Sequence, residues 1–366
     1  MTSILCVIPK GAGGNDELRA RRLMDGFDAD VSYHVVDRKL SYPASIKLLW
    51  KSVTSKPWDL IYAEGTGIIA GGNLILASLS RKQRYIVSGG DPVGGFFAVT
   101  KGPVAGSFFR FYEKLLYQAS AGFVGWTPYL TGLAMHLGAP RGVTVEGSVA
   151  TDVFRSYSVE ERAVAKKRFG LDPGHLVLGV AGSLKWTPRQ QYSYGLELVE
   201  TIKLLKRRDV SAMIVGDGDG RAELERRVPA DLKQRVVFTG RISEMDVVDA
   251  LNAMNIGFIT QTLDELGSYR LTTKLPEYLS TGLPVAMSPI PGFFDYVGEA
   301  GWSLPAHHPA TREFHSECAT WIDGLSWDEV RLRASKTRDI AAARFDYSTT
   351  RPRFQAFIGS LCNQST

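Results

Sequence analysis

TTKLPEYLSTGLPVAM, residues 272–287, decides how this chain is read. It joins a helix over 274–280 to an apolar strand over 285–287. Thr272 or Thr273 can cap that helix, and Pro276 falls in its first turn, where a missing N–H costs little. Free amides at such a start make an anion site. Lys274 and Glu277 are three apart and share a face. The lysine can meet a phosphate, and the carboxylate can accept both hydroxyls of a ribose. The plain alternative is an exposed Lys–Glu pair worth about 0.2–0.5 kcal/mol. The apolar run 279–287 tips the balance towards a site, because it buries the helix against the strand that follows.

Outward from this unit, strand and helix keep alternating. The second half predicts strands at 176–181, 212–215, 236–238, 256–260, 285–287 and 302–304. Helices fall at 188–206, 221–227, 244–253, 274–280 and 310–325. The first half predicts strands at 4–8, 31–36, 60–63, 85–88, 122–125 and 143–145, with helices between them such as 16–27 and 108–118. Such alternation implies parallel sheets covered on both faces. Two sets imply two doubly wound, Rossmann-like α/β domains, with a linker at 146–158, where Gly147, Ser148, Asp152 and Ser156 interrupt the pattern.

Composition agrees. A chain of 366 residues is comfortable for two cores. With 44% hydrophobic and 22% charged residues it is an ordinary globular sequence, ordered up to the last few residues, 363–366. A net charge of +5 from mixed signs is too weak for nucleic acid, and suits phosphorylated substrates or an acceptor on an anionic membrane. Cys6, Cys318 and Cys362 show neither metal spacing nor a disulfide framework, which predicts a reducing, cytoplasmic setting. Residues 4–8 read as a first strand rather than a signal. The longest apolar candidate, 65–79, is broken by Gly71, Gly72 and Asn73, so no membrane span is expected.

Ligands of open parallel sheets bind beyond the carboxyl ends of the strands. In the second half those ends carry GSLKWTPRQQ (182–191), GDGDG (216–220), TGRIS (239–243) and QTLDELGSYRLTTK (261–274). Thr187–Pro188 reads as a cap and first-turn pair. That puts Lys185 and Arg189 at a helix start, where they neutralise a diphosphate; the alternative is ordinary surface cations. Asp217 and Asp219 imitate a metal-binding Asp-x-Asp. Their place between strand and helix speaks instead for a close-packing glycine turn, and no metal is expected.

The run 180–304 resembles the donor domain of glycosyltransferase family four. AGSL, IVGDGDGRAEL, VVFTGRISEMDVVDALNAMNIGFI and TKLPEYLSTGLPVAMS follow in the family's order. Gly13–Gly14, VTVEGSVATDVF and the tail FDYSTTRPRFQAFIGSL add weaker matches. The resemblance implies a GT-B fold with a deep interdomain cleft: an acceptor domain over 1–150, a nucleotide-sugar domain over 151–344, and a helix over 345–366 returning to the first domain. It implies a hexosyl-type transferase that uses a nucleoside-diphosphate sugar with retention, without metal or other cofactor. It also implies a sugar or lipid-linked acceptor. It places Gly13, Gly14 and Gly216 beside the donor, sets Arg241 and Ile242 against the base, and makes Glu277 the ribose ligand. The family's first carboxylate, eight residues before that, falls on Tyr269; Asp264 or Glu265 is the nearest substitute.

On the acceptor side, VSGGDPVGG (87–95) sets Asp91 at a strand end, placed to orient a hydroxyl or take its proton. Many relatives have histidine where this chain has Gly90. Glu64, in YAEGTG, is a second acceptor-side candidate. KGPVAGSFFRFYEKLLYQ (101–118) interleaves cations with aromatics. It reads either as core contacts of a Rossmann helix or as a helix lying on the inner face of a membrane. Competing functions are an epimerase or hydrolase on the same fold, or an inactive carbohydrate-binding protein. An oxidoreductase would need a GxGxxG opening a helix, which is missing.

Overall fold

A computed structural model describes residues 1–37 and 39–363 of the chain; the expected loss of order at 363–366 lies, from 364 on, outside them. The chain forms two compact units. The first comprises Met1–Ser148, Tyr269–Leu271 and Tyr347–Thr366. The second comprises Val149–Ser268 and Thr272–Asp346.

In the first unit six short apolar runs become strands β1 (Ser3–Ile8), β2 (Asp30–Val35), β3 (Leu60–Glu64), β4 (Tyr85–Gly89), β5 (Gly122–Gly125) and β6 (Gly142–Thr144). All pair in parallel, in the order β2-β1-β3-β4-β5-β6. Strands covered on both faces need near-continuous apolar sequence, and β1, β3 and β4 supply it. The chain leaves β1 towards β2 on one side and continues from β3 on the other, so a switch point lies between β1 and β3. The last helix, Tyr347–Cys362, belongs here: Phe354, Ile358 and Leu361 are buried in the core with Ile4, Leu23 and Tyr62.

The second unit repeats the plan with β7 (Leu176–Ala181), β8 (Val210–Val215), β9 (Val236–Gly240), β10 (Ile256–Ile259), β11 (Val285–Met287) and β12 (Gly301–Ser303). Their order is β12-β11-β10-β7-β8-β9, again wholly parallel. The switch point falls between β10 and β7. Leu178, Val180, Ile214, Phe258, Phe314 and Ile322 centre its core. The helix over Lys274–Ser280 forms with the bounds expected of it.

One element is corrected. The helix expected from Pro188 begins only at Leu196 and ends at Ile202. Thr187 and Tyr192 form a two-residue antiparallel bridge instead, Gln190 N–H donates to the Thr187 carbonyl at 3.1 Å, and Gln191 takes a left-handed φ of +50°. Thr-Pro serves a turn as well as a helix start, since proline presets the φ of both.

Candidate functional site

The second switch point is built around a glycine and a lysine. Where β7 ends, Gly182 adopts φ +153°, and a Cβ there would stand 2.8 Å from Cε of Lys274. A Cβ on Gly216, at the end of β8, would stand 1.9 Å from the Gly182 carbonyl oxygen. The backbone thus closes on itself as only glycine permits. Lys274 opens its helix yet is 8% exposed, with Nζ 3.2 Å from the ring centroid of Tyr194. An ammonium over an aromatic face keeps its charge with part of its water removed.

Beneath it lies a polar floor. Glu197 is fully buried and accepts from Tyr192 Oη at 2.9 Å, Gly195 N–H at 3.0 Å and Thr260 Oγ1 at 3.2 Å. Burial pushes its carboxyl up, while its backbone and Tyr192 bonds and nearby Lys274 pull it down. Gln261, just past β10, donates its side-chain amide to Tyr194 Oη at 3.4 Å and its backbone N–H to Ser288 Oγ at 2.9 Å. The loops after three adjacent strands are thereby tied together.

Glu277 is half-buried and accepts no hydrogen bond among the described residues. Desolvation pushes its carboxyl up to about 7; Lys274 opposes this and Glu244 adds to it. A carboxylate short of donors beside a desolvated cation is set up to take them from a ligand.

The remaining candidates of this unit lie on the segments that follow its strands. Lys185 and Arg189 are exposed and form no ion pair among the described residues, on a turn rather than at a helix start as expected. Their segment is stitched to the Gly216–Gly220 turn by Trp186 N–H on Asp219 Oδ1 at 2.7 Å and Gly220 N–H on the Leu184 carbonyl at 2.8 Å. Thr272 and Thr273 are half-buried. Thr273 holds the cap position without a side-chain cap bond, while Thr272 Oγ1 accepts the Lys274 N–H at 3.4 Å, so the expected cap is weak. Arg241 is exposed and Ile242 half-buried after Gly240. Asp264 accepts the Gly267 N–H at 3.0 Å at the start of the helix Glu265–Tyr269. Tyr194 escaped sequence reading because 188–206 reads as a helix where the structure makes a turn before Leu196, and Glu197 and Gln261 gave no sequence signal of their own.

In the first unit, Gly13 takes φ +73° and its N–H is occupied by Glu17 Oε2 at 2.9 Å, a bond that lowers the Glu17 pKa. Gly14 caps the helix Asn15–Met24 and faces open space. Glu64 is 1% exposed. Tyr62 Oη donates to it, Ser88 Oγ donates at 2.9 Å, and Arg19 stands 3.5 Å away. Its carboxylate is thus committed inside the fold. Asp91 pairs with Arg270 at 2.9 Å, a partner not foreseen from the sequence. Trp126 explains the absence of a side chain at Gly90: a Cβ there would lie 2.8 Å from the indole.

Residues 175–321 match the family model described as "Glycosyl transferases group 1". The 2-deoxystreptamine glucosyltransferase of Streptomyces kanamyceticus is 31% identical over 210 residues, 56% of this chain and 52% of that protein. The chain thus spans about half the length of that relative. Among solved structures, the Anabaena HepE complex with UDP-glucose superposes with a TM-score of 0.76 at 16% identity, covering 98% of this chain and all of that one. Sucrose-phosphate synthase from Thermosynechococcus elongatus gives 0.76 at 14%, covering 99% and 100%. At such identities the likeness establishes the fold, which is that of the GT-B glycosyltransferases.

Proposed function

We propose that this chain is a glycosyltransferase that moves a hexosyl group from a nucleoside-diphosphate sugar to a sugar or lipid-linked hydroxyl, in the manner of glycosyltransferase family four. The observation that carries the reading is the pairing of Lys274 and Glu277 on one helix at the second switch point, the lysine desolvated over Tyr194 and the carboxylate raised to about 7. Lys274 meets the diphosphate, with Lys185 and Arg189 adding exposed charge, and Glu277 accepts the ribose hydroxyls. Gly216, Thr272 and Thr273 supply close backbone and hydroxyl contacts to the donor, and Arg241 and Ile242 lie by the base. The HepE structures with UDP and UDP-glucose, and a relative named for glucosyl transfer, make UDP-glucose the first donor to try.

The bond from the sugar's anomeric carbon to the phosphate oxygen breaks, the acceptor oxygen bonds to that carbon with configuration retained, and the proton of the acceptor hydroxyl leaves to the departing phosphate oxygen. Negative charge grows on the departing diphosphate, where fixed cations lower the barrier most. No metal is assigned to this task. Asp91, held by Arg270, orients the acceptor hydroxyl. The test is calorimetry and thermal shift with a panel of nucleoside diphosphates and their sugars. One nucleotide is expected to stabilise the protein, and Lys274→Gln to weaken its binding at least about tenfold, the worth of one charge-assisted bond. A folded protein unmoved by the whole panel would remove the donor assignment.

A further inference from the structure

Four helices of the first unit share an unusual surface. They are Tyr42–Val53, Ile68–Arg81, Val93–Lys101 and Pro103–Gln118. The first packs on the second, the second on the last, and the last on the third. On Pro103–Gln118, Val104, Phe108, Phe111 and Leu115 are 85, 66, 61 and 39% exposed. Their spacing of four, three and four puts them in one stripe along the helix. Ile68, Leu76 and Leu79, exposed by 51, 53 and 75%, form a second row on the neighbouring helix. Isolated exposed apolar residues need no explanation, but aligned rows on packed helices do.

The exposed charge of these helices has one sign. Lys47, Lys51, Arg81, Lys101, Arg110 and Lys114 are all exposed on these helices. Arg110 and Lys114, four apart, run along one flank of the stripe. The single acidic residue of the four helices is Glu113, which is 2% exposed. It accepts the N–H groups of Val93 and Gly94 at 2.9 and 3.0 Å and the Tyr117 hydroxyl at 3.0 Å. In a chain with 38 acidic residues among 366, four helices without an exposed carboxylate stand apart. Phe109, by contrast, stacks on Phe97 at 3.5 Å between ring centroids and belongs to the fold. The mixed aromatic run thus divides into a packing face and an open one.

We infer that this surface docks on an anionic lipid bilayer, with Val104, Phe108, Phe111 and Leu115 entering the headgroup boundary and the flanking Lys and Arg ammonium and guanidinium groups meeting lipid phosphates. An apolar stripe beside a basic row is the composition of a helix lying in the plane of the interface. The cations select anionic lipid, and the exposed phenyl rings supply apolar area that a purely electrostatic contact would not use. No helix among the described residues is long and apolar enough to cross a membrane, so contact of this kind is in-plane. This inference is independent of the donor site.

Flotation of the full chain, without nucleotide, tests it on vesicles of phosphatidylcholine mixed with phosphatidylglycerol and on pure phosphatidylcholine. Binding to the anionic vesicles is expected, falling as salt is raised. The pair F108S/F111S should weaken it about tenfold, and K101Q/R110Q/K114Q should weaken it comparably on anionic vesicles alone. Melting temperatures of the variants, whose changed side chains are exposed, should match the wild type. Equal binding to both vesicles, or none, overturns the inference. So does a dimer in sedimentation that F108S/F111S converts to monomer without vesicle binding, since a second copy would then cover the surface.

Discussion

Glu277 carries its own pH test. Its carboxyl is raised in the folded protein to about 7, chiefly by burial. Between the ordinary carboxylate range and 7 the folded chain therefore holds a proton that the unfolded chain has released. Stability falls as pH rises through that window, and Glu277→Gln should remove this slope. Donor binding runs the opposite way, because ribose hydroxyls need the ionised form as acceptor. Affinity for UDP-glucose, whose diphosphate stays ionised throughout, is expected to rise as pH climbs through 7 and to be flat in E277Q. Calorimetry that finds the same profile in both would take Glu277 out of the ribose site. Gly182 offers a second test at this scale. An alanine there meets Lys274 Cε at 2.8 Å with φ at +153°, a strain of about 1–3 kcal/mol. G182A should melt lower and bind donor more weakly, while alanine at Gly13, which has no atom within 4 Å of its Cβ position, bears only its own φ strain.

At the scale of elements, the segment 183–195 is where sequence and structure part. Thr187–Pro188 satisfies the rule for a helix start, yet the chain makes a turn, because Thr187 finds Tyr192 and Leu184 finds the glycine turn after β8. The glycine turn after β8 is distant in sequence and reaches Leu184 only through the strand order, which local propensity does not see. Asp219 holds this arrangement through the Trp186 amide. Asp219→Ala should free that amide, and its hydrogen exchange should quicken by roughly fivefold, for a bond worth about 1 kcal/mol. An unchanged rate would mean that the Leu184 bonds alone hold the segment. Conversely, the helix Lys274–Ser280 was legible to the residue, since its apolar run and the strand behind it are contiguous in sequence.

For the molecule as a whole, the last helix joins the ends of the chain. Phe354 is fully buried, 4.9 Å from the Tyr62 ring, in the core that also holds Ile4 and Leu23. Phe354→Ala should cost about 3–5 kcal/mol, as a large core cavity does. Because the second unit has its own core, nucleotide binding is expected to persist after the first unit has loosened. Two transitions in calorimetry, with the nucleotide shifting only one, would be the signature; a single transition shifted as one would show that the units unfold together.

The alternation of apolar strands and helices was enough to establish two parallel α/β sheets, because strands buried on both faces must be apolar throughout and helices between them cannot be. Lys274 and Glu277 lie on one short helix whose bounds were legible in the sequence, but their spacing fits an exposed pair as well, and it was the order of motifs along 180–304 that marked them as a site. Only the tertiary structure showed Lys274 over Tyr194, Glu197 beneath, Asp91 paired with Arg270, and Glu64 committed inside the fold. These facts depend on which strands become neighbours, and strand order is decided by packing across the whole sheet rather than by anything a residue's sequence neighbours carry.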